Sequence, residues 1–297
     1  MTLRADLAIA GALLLLAAAV WMPPVTLQRP VFSYMVTFDI TQSMDVEDVE
    51  HAGAPVSRLA LARLAMRDAL RRLPCGSRIG WSIFADYRAL PLMMPVEVCG
   101  HYEELLASLD AIDGRMRWAN ASNVGKGVTW TVRSAKLIGS GVSVVFITDG
   151  HESPPLRGDA APPMAGITPG DVGGWLIGVG GALPAPIPKT DRDGNRAGFW
   201  QAGDVVQRDD MPSHEHLSEL REAHLQSLAR VMGLGYRRLV EADALAKALL
   251  DARLARSAPV QTDVSQVPAL LALLLLAWRF RPGLSLTRSR RRDRESP

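Results

Sequence analysis

Residues 31–43 read VFSYMVTFDITQS, an apolar run that ends in one carboxylate and two hydroxyls. Aromatic and β-branched residues dominate its first part, which predicts a buried strand over residues 31–40. Asp39, Thr41 and Ser43 stand at the carboxyl end of that strand. In an open parallel sheet, ligands bind beyond the carboxyl ends of the strands, so these three side chains are candidates for a binding site.

Two further segments are expected to bring oxygen atoms to the same edge of the sheet. Ser122 precedes a predicted helix over residues 123–137, and Asp149 follows an apolar strand predicted over residues 142–148. A hard divalent cation such as Mg²⁺ prefers carboxylate and hydroxyl oxygens and keeps some of its waters. The sequence therefore predicts a metal site formed by Asp39, Thr41, Ser43, Ser122 and Asp149.

Strand and helix patterns alternate through the rest of the chain, which predicts a mostly parallel sheet covered on both faces. Residues 78–85 and 90–98 are expected to form a hairpin about Tyr87, which makes one edge strand antiparallel. Residues 180–208, rich in proline and glycine, read as an inserted hairpin or loop. The other predicted helices are 58–73, 103–112, 216–232 and 243–256, and the other predicted strands are 174–179 and 236–240. The expected fold class is α/β, doubly wound, with a mostly parallel sheet and one antiparallel edge strand.

The three motif segments resemble the metal-ion-dependent adhesion site of von Willebrand A domains, over residues 31–256. The resemblance implies a Rossmann-like fold and a protein-binding module that is not an enzyme. It implies hydroxyl contacts to the metal from Thr41, Ser43 and Ser122, with Asp39 and Asp149 acting largely through bound water. Mg²⁺ is the implied ion, with Mn²⁺ or Ca²⁺ as alternatives, and its exchangeable position would accept an acidic residue of a partner protein. Thr41 stands where serine is usual and Ser122 where threonine is usual, and both keep the hydroxyl.

A finer resemblance concerns the arrangement around the predicted domain. The helical segments before and after it, together with residues 177–180 and 185–195, look like the Bat-type aerotolerance membrane proteins. The sequence FDITQSM at residues 38–44 is similar to that of accessory proteins of methanol oxidation, of the MxaL type. These families imply assembly or activation of a periplasmic enzyme, such as a methanol dehydrogenase-type system, often beside a MoxR-type ATPase.

Both ends of the chain are apolar, which predicts two membrane anchors. Residues 1–24 contain an apolar run that reads as an uncleaved anchor or as a signal peptide. Residues 264–280 form a second apolar segment, and an arginine-rich tail follows at residues 281–297. Arginines beside an anchor favour the cytoplasmic side, which would put both termini inside and the domain in the periplasm of a bacterial inner membrane. The tail could instead bind nucleic acid or anionic lipid, but no aromatic residues interleave with its arginines, and the 33 basic and 31 acidic residues of the chain nearly balance.

The two cysteines help to indicate the cellular compartment in which the domain lies. Cys75 precedes one strand of the predicted hairpin and Cys99 follows the other, so the two residues would lie opposite each other at its open end. We expect a disulfide between them, which an oxidising compartment would preserve. The alternative is two unrelated buried thiols.

Several other side chains are candidates for partner contact or for rival functions. Trp118, near the predicted site, is a candidate interface anchor, and His151 and Glu152 could tune partner choice or simply lie in an exposed loop. They are also the only general-base candidates for the rival reading of a metal-dependent hydrolase. A third reading is a structural envelope protein with a degenerate site. His214, His216 and His224 are expected to lie at a solvated helix start rather than to bind zinc. Residues 191–195 are expected to form a tight turn rather than a calcium-binding loop.

Overall fold

A computed structural model describes residues 2–155, 166–191, 193–205 and 214–280. The chain divides into two compact units, a central one over residues 28–258 and a terminal one formed by the segments before and after it. The predicted basic tail, residues 281–297, lies outside the described residues. The helices are α1 (Thr2–Trp21), α2 (Arg58–Arg72), α3 (Tyr102–Ala111), α4 (Val124–Ile138), α5 (Glu222–Met232), α6 (Ala242–Leu249) and α7 (Gln266–Arg279).

The strands form one large sheet and several two-stranded ribbons. They are β1 (Val25–Val31), β2 (Ser33–Asp39), β3 (Val49–His51), β4 (Ala54–Val56), β5 (Arg78–Ala85), β6 (Arg88–Glu97), β7 (Ser143–Thr148), β8 (Gly174–Gly178), β9 (Ala185–Pro186), β10 (Pro188–Thr190), β11 (Arg196–Phe199), β12 (Leu217–Ser218), β13 (Gly235–Arg238) and β14 (Arg256–Thr262).

The large sheet confirms the predicted fold class for the central unit. Its six strands run in the order β13-β8-β7-β2-β5-β6. The first five are parallel to one another and β6 pairs antiparallel with β5, which makes it the predicted antiparallel edge strand. β2 lies between β7 and β5, with Phe38 opposite Ile147 on one side and Ile83 on the other. The end of β2 therefore lies beside the ends of both neighbours, where the predicted site was expected.

Two apolar layers cover the faces of this sheet. On one face, α2, α3 and α6 pack over β2 side chains such as Tyr34, Val36 and Phe38. On the other face, α4 and α5 pack against Phe84 and Phe146. Burial of such large apolar side chains stabilises each layer by about 1.5–3 kcal/mol per residue relative to exposure. Each layer begins from an N-capped helix: Ser57 Oγ accepts the Ala60 N–H at the start of α2, and Asn123 Oδ1 accepts the Lys126 N–H at the start of α4.

Two of the predicted helices are shorter than expected. The prediction of a helix over 216–232 is wrong for its first part, because Leu217 and Ser218 form β12 and pair with β9, and α5 begins only at Glu222. The prediction of a helix over 243–256 is wrong for its last part, because α6 ends at Leu249, Ala252–Leu254 form a 3-10 turn, and β14, which pairs with β1, begins at Arg256. In the first of these segments a long-range strand pairing replaces a helical pattern.

The terminal unit contains two helices that pack against each other. Ala8 and Ala12 of α1 are buried, as is Ala272 of α7, and a side chain at Gly11 would lie 3.3 Å from Leu275. Small residues at the contact bring the two backbones close together. Leucines on both helices and a tryptophan at the end of each remain exposed.

Within the described residues, no helix has both the length and the apolar character that a membrane crossing requires. The membrane anchors predicted for residues 1–24 and 264–280 stay a prediction.

Candidate functional site

The site is organised around Asp39, the last residue of β2. Its side chain is fully buried, and both carboxylate oxygens accept hydrogen bonds. Oδ1 accepts from the Thr41 amide (2.9 Å) and hydroxyl (2.6 Å), while Oδ2 accepts from the Thr148 hydroxyl at the end of β7 (2.6 Å). The carboxylate thus fixes the loop after β2 against the neighbouring strand.

The loop after β2 is a short 3-10 turn, Gln42–Asp45. It places the hydroxyl of Ser43 3.2 Å from that of Thr41. Both side chains are almost fully buried, and both line a cavity above the sheet edge. Two adjacent hydroxyls facing one cavity form the donor pair that a hard cation prefers.

Ser122 is brought to the same cavity by backbone pairing. Its amide donates to the Ser153 carbonyl (2.7 Å) and its carbonyl accepts from the Ser153 amide (2.8 Å). Its hydroxyl is buried, lines the cavity and has no hydrogen-bond partner within the described part of the chain. A buried polar atom left unpaired costs about 1–3 kcal/mol, so this orphaned oxygen fits the role of a metal ligand.

Asp149, after β7, is held by a buried arginine that the sequence reading did not identify. Arg58 Nη1 donates to Asp149 Oδ2 (2.5 Å) and to the Ser218 hydroxyl (2.7 Å). Its other nitrogens pair with the Asp48 carboxylate, at 2.9 and 2.5 Å. The Arg58 side chain is fully buried, and Asp48 is 13% exposed. The guanidinium therefore ties two carboxylates together behind the predicted metal ligands.

The two buried aspartates differ in their electrostatic surroundings. Burial, reinforced by the negative charge of Asp149, raises the pKa of Asp39 to about 7, although Thr148 and Thr41 donate hydrogen bonds to it. Burial also opposes ionisation of Asp149, but the charge of Arg58 and contacts from His151 hold the pKa of Asp149 below its usual value. Asp149 is therefore the ionised member of the pair, and Asp39 titrates near neutrality.

Thr148-Asp149-Gly150 turns sharply at the end of β7. The Gly150 backbone has a φ of 78°, in the left-handed region that favours glycine, and a side chain there would meet Leu225 of α5 at 2.9 Å. The turn lets the His151 amide donate to Asp149 Oδ1 (2.9 Å). Gly150 therefore allows the tight turn in which the His151 amide holds the Asp149 carboxylate in place.

The three predicted partner-contact residues have different surroundings. Trp118 is 41% exposed, consistent with its proposed surface role. His151 is buried rather than in an exposed loop, and its Nδ1 has no hydrogen-bond partner among the described residues. Glu152 is turned toward the start of α4, where it accepts from the Val124 amide (3.1 Å) and contacts His224 Nε2 (3.1 Å). His224 is therefore engaged with Glu152 rather than part of a solvated helix start.

A covering segment, residues 185–191 and 193–204, forms one wall of the cavity. Its Thr190 accepts hydrogen bonds from Gln42 Nε2 (3.2 Å) and from Arg117 Nη2 (2.7 Å). Its Trp200 donates an indole hydrogen bond to Gln42 Oε1. The inserted hairpin predicted for this region is confirmed as the ribbon β10–β11. The sequence did not predict the hydrogen bonds between this segment and Gln42, the residue between Thr41 and Ser43.

Cys75 and Cys99 are joined by a disulfide with a Cα–Cα distance of 5.3 Å. The bond closes the open end of the β5–β6 hairpin, in which Arg78 lies opposite Glu97 and Ala85 opposite Arg88. The turn at the other end of the hairpin contacts the Ser122 segment, where the Asp86 amide donates to the Ala121 carbonyl (2.7 Å). The disulfide lies at the opposite end of the hairpin, so it stabilises the scaffold and not the loops of the predicted site directly.

Comparison with solved structures places this fold among known proteins. An aerotolerance-related membrane protein from Bacteroides fragilis matches with a TM-score of 0.50 at 20% identity, covering 73% of this chain and 96% of that one. BatB from Bacteroides thetaiotaomicron matches with the same TM-score and identity, covering 75% and 96%. The fold is similar to that of these two Bat-type proteins. At 20% identity the likeness establishes the fold alone.

A von Willebrand factor type A protein from Catenulispora acidiphila also aligns, with a TM-score of 0.44 at 10% identity, over 83% of this chain and 50% of that one. No family model matches the sequence. No curated protein matches it either.

Proposed function

We propose that this chain is a non-enzymatic, metal-dependent protein-binding module. A divalent cation, Mg²⁺ with Mn²⁺ or Ca²⁺ as substitutes, would be held by the hydroxyls of Thr41, Ser43 and Ser122, with Asp39 and Asp149 behind them. The bound ion would supply a coordination position for an acidic group of the partner protein. The observation that carries the proposal is the hydroxyl of Ser122, which is buried without a partner within the described residues, in a residue that lines the same cavity as Thr41 and Ser43.

The charges around the cavity support a divalent cation. Asp39, Asp48 and Asp149 supply three carboxylates, and Arg58 is the guanidinium paired with two of them. Burial lowers the pKa of His151, which is thus neutral at pH 7. With Asp39 ionised, this group carries two net negative charges, which one divalent ion would neutralise. Ionic groups buried this deeply are costly when uncompensated.

The rival reading of a metal-dependent hydrolase is less well supported. A general base must reach metal-bound water, and Glu152, one of the two sequence candidates, is already engaged with the N-terminus of α4 and with His224. We assign the other candidate, His151, to ligand binding, as argued below.

We further propose that the module acts in a bacterial periplasm at the inner membrane. The disulfide supports an oxidising compartment, and the exposed leucines of α1 and α7 offer apolar surface for membrane association. Its role there would be assembly or activation of a periplasmic enzyme, such as a methanol dehydrogenase-type system, beside a MoxR-type ATPase.

Crosslinking of the full chain in its native membranes, with Mg²⁺ and with chelator, tests the proposal. A protein captured from wild type in Mg²⁺, and lost both in chelator and with Asp39→Ala, is the expected result. Arg67→Met, which alters an exposed ion pair on α2, serves as the matched control and should capture normally. Equal capture with and without chelator would contradict metal-dependent binding, and turnover of an ester, amide or phosphate substrate lost in Asp39→Ala would favour the hydrolase.

A further inference from the structure

We propose that the cavity beside the metal site binds the free C-terminal end of a partner polypeptide whose last residue is apolar. This inference rests on the proposed function, because the cation would bind the terminal carboxylate. It adds the chemical class of the partner group: a chain end and not an internal acidic side chain.

The cavity has the size of a chain end. Its volume is about 270 Å³. A cavity of about 150 Å³ in another protein binds benzene, so this cavity has room for about one amino-acid residue and the peptide unit before it. An internal acidic residue would have to bring backbone on both sides of itself into the same space. A terminal residue brings backbone on one side only.

The lining of the cavity combines apolar and polar residues. Ile187, Pro154 and Trp200 are apolar, and Thr41, Ser43, Ser122 and His151 are polar. An apolar side chain next to a carboxylate matches this mixed lining, because each part of the ligand can contact residues of its own polarity. An internal Asp or Glu has only methylene groups beside its carboxylate, so an apolar side chain would have to come from a neighbouring residue.

Two of the apolar lining residues are fixed in place by hydrogen bonds. The Ile187 amide donates to the His216 carbonyl (3.0 Å), and the Trp200 amide donates to the Ile187 carbonyl (3.0 Å). The Trp200 indole is bound to Gln42. This part of the lining is therefore formed before a ligand arrives, which lowers the entropy cost of binding.

Two residues that line the cavity each have a buried polar atom without a hydrogen-bond partner within the described residues. These atoms are Ser122 Oγ and His151 Nδ1, and the two residues are 2% and 5% exposed. We assign Ser122 Oγ to the cation and His151 Nδ1–H to the carboxylate oxygen that the cation does not bind. A terminal carboxylate satisfies both requirements with one group.

An acidic rim restricts which chain ends fit. Glu215 lines the cavity and accepts a hydrogen bond from the Ser153 hydroxyl (2.8 Å). Asp204 lines it too, 3.5 Å from Lys189. A partner with a second acidic group at its last residue would be repelled, whereas an apolar last side chain would not.

The experiment presents the full chain with two pools of hexapeptides whose last three residues are randomised. One pool has free C-terminal carboxylates and the other C-terminal amides, and both are offered in 5 mM Mg²⁺ and in chelator. Bound peptides are identified by mass spectrometry, and Mn²⁺ binding to the same protein is measured in parallel. We expect at least tenfold enrichment of free acids over amides, an apolar last residue among the enriched peptides, and loss of enrichment in chelator.

Variants separate the cavity from the metal. Trp200→Ala should abolish the preference for an apolar last residue while Mn²⁺ binding persists, and Trp200→Phe should retain it. His151→Leu should reduce free-acid binding about tenfold with Mn²⁺ still bound. Mn²⁺ binding in each variant also reports that the site has folded.

The outcomes are distinguishable. Enrichment of internal Asp or Glu regardless of the C-terminal group would overturn the chain-end proposal and leave the proposed metal-dependent function intact. No enrichment although Mn²⁺ is bound would also overturn the chain-end proposal. Failure to bind Mn²⁺ at all would refute the proposed function, and the chain-end proposal with it.

Discussion

Ser122 allows the metal function of a side chain to be separated from its structural role. Because its hydroxyl is buried without a hydrogen-bond partner within the described residues, Ser122→Ala should raise the free energy of unfolding of the metal-free protein by about 1 to 3 kcal/mol. We expect it to weaken Mn²⁺ binding at least tenfold. Thr129→Val is the matched control, since it removes a buried hydroxyl that donates to the Gly125 carbonyl. The control should cost about 1 kcal/mol and leave Mn²⁺ binding unchanged; the reverse pattern would exclude Ser122 as a ligand.

Arg58 should contribute strongly to stability through its buried ion pairs. Arg58→Met leaves Asp149 buried without its countercharge, and breaking such a pair costs about 3–5 kcal/mol. Arg67→Met on the same helix breaks an ion pair whose side chains are 44% and 56% exposed and should cost less than about 1 kcal/mol. Urea denaturation of the metal-free variants measures both. Equal costs for the two substitutions would contradict the assigned role of Arg58.

The raised pKa of Asp39 predicts that the free energy of unfolding and the Mg²⁺ affinity both depend on pH. Its pKa is raised to about 7 by burial and by the charge of Asp149, so the folded metal-free protein holds a proton that the unfolded chain releases near pH 4. The free energy of unfolding should therefore fall as the pH rises from about 4 to about 7, and Asp39→Asn should remove that fall. Mg²⁺ binding, which needs the ionised form, should strengthen over the same range. Mg²⁺ affinity that is flat between pH 5 and 8 would contradict this assignment.

The proximity of Asp39, Thr41 and Ser43 was predictable at the residue scale, whereas the contacts that support these residues were not. Asp39, Thr41 and Ser43 are neighbours in sequence at the end of a recognisable strand, so their proximity follows from local pattern. The contact of Arg58 with Asp149 joins residues 91 positions apart. Arg58 also begins an amphipathic helix, where an arginine is ordinarily expected in solvent. No local pattern distinguishes it from Arg63 or Arg67.

At the scale of elements, the β5–β6 hairpin and its disulfide offer a test of the scaffold. Cys75 and Cys99 are 24 residues apart, and a crosslink closing such a loop stabilises by about 3 kcal/mol in the chain-entropy model. The Cys75→Ser, Cys99→Ser double variant should lose about that much in urea denaturation while still binding Mn²⁺, since the disulfide closes the end of the hairpin opposite to the Asp86 turn that contacts the Ser122 segment. Loss of Mn²⁺ binding in a folded double variant would show that the hairpin supports the site directly.

Element types were predictable where the period of the sequence agreed with the tertiary environment. The strands β2 and β7 and the helices α2 and α4 are apolar or amphipathic over their full length, and each lies where predicted. Residues 216–221 carry a helix-like pattern, yet β12 pairs with β9 and presents Ser218 to Arg58. That pairing is stabilised by contacts between segments that are distant in sequence. Such contacts cannot be predicted from the local sequence pattern.

At the scale of the whole molecule, the order of strands and helices was sufficient to predict the doubly wound sheet, because parallel strands need crossover connections that cover both faces. The pairing of β1 with β14 was not predicted, since it joins segments more than 200 residues apart whose side chains are mostly exposed. Apolar composition predicted helices at both ends.

Binding of one Mn²⁺ per chain, competed by Mg²⁺ and followed by electron paramagnetic resonance on the purified full-length protein, tests the central claim most directly. Wild type and the exposed-site control Ser257→Ala should both retain Mn²⁺ at millimolar concentration or below. Ser43→Ala and Asp39→Ala should release it while remaining folded by circular dichroism. A wild-type protein that retains no Mn²⁺ at millimolar concentration, or a Ser43→Ala variant that binds as well as wild type, would contradict a metal site at this edge of the sheet.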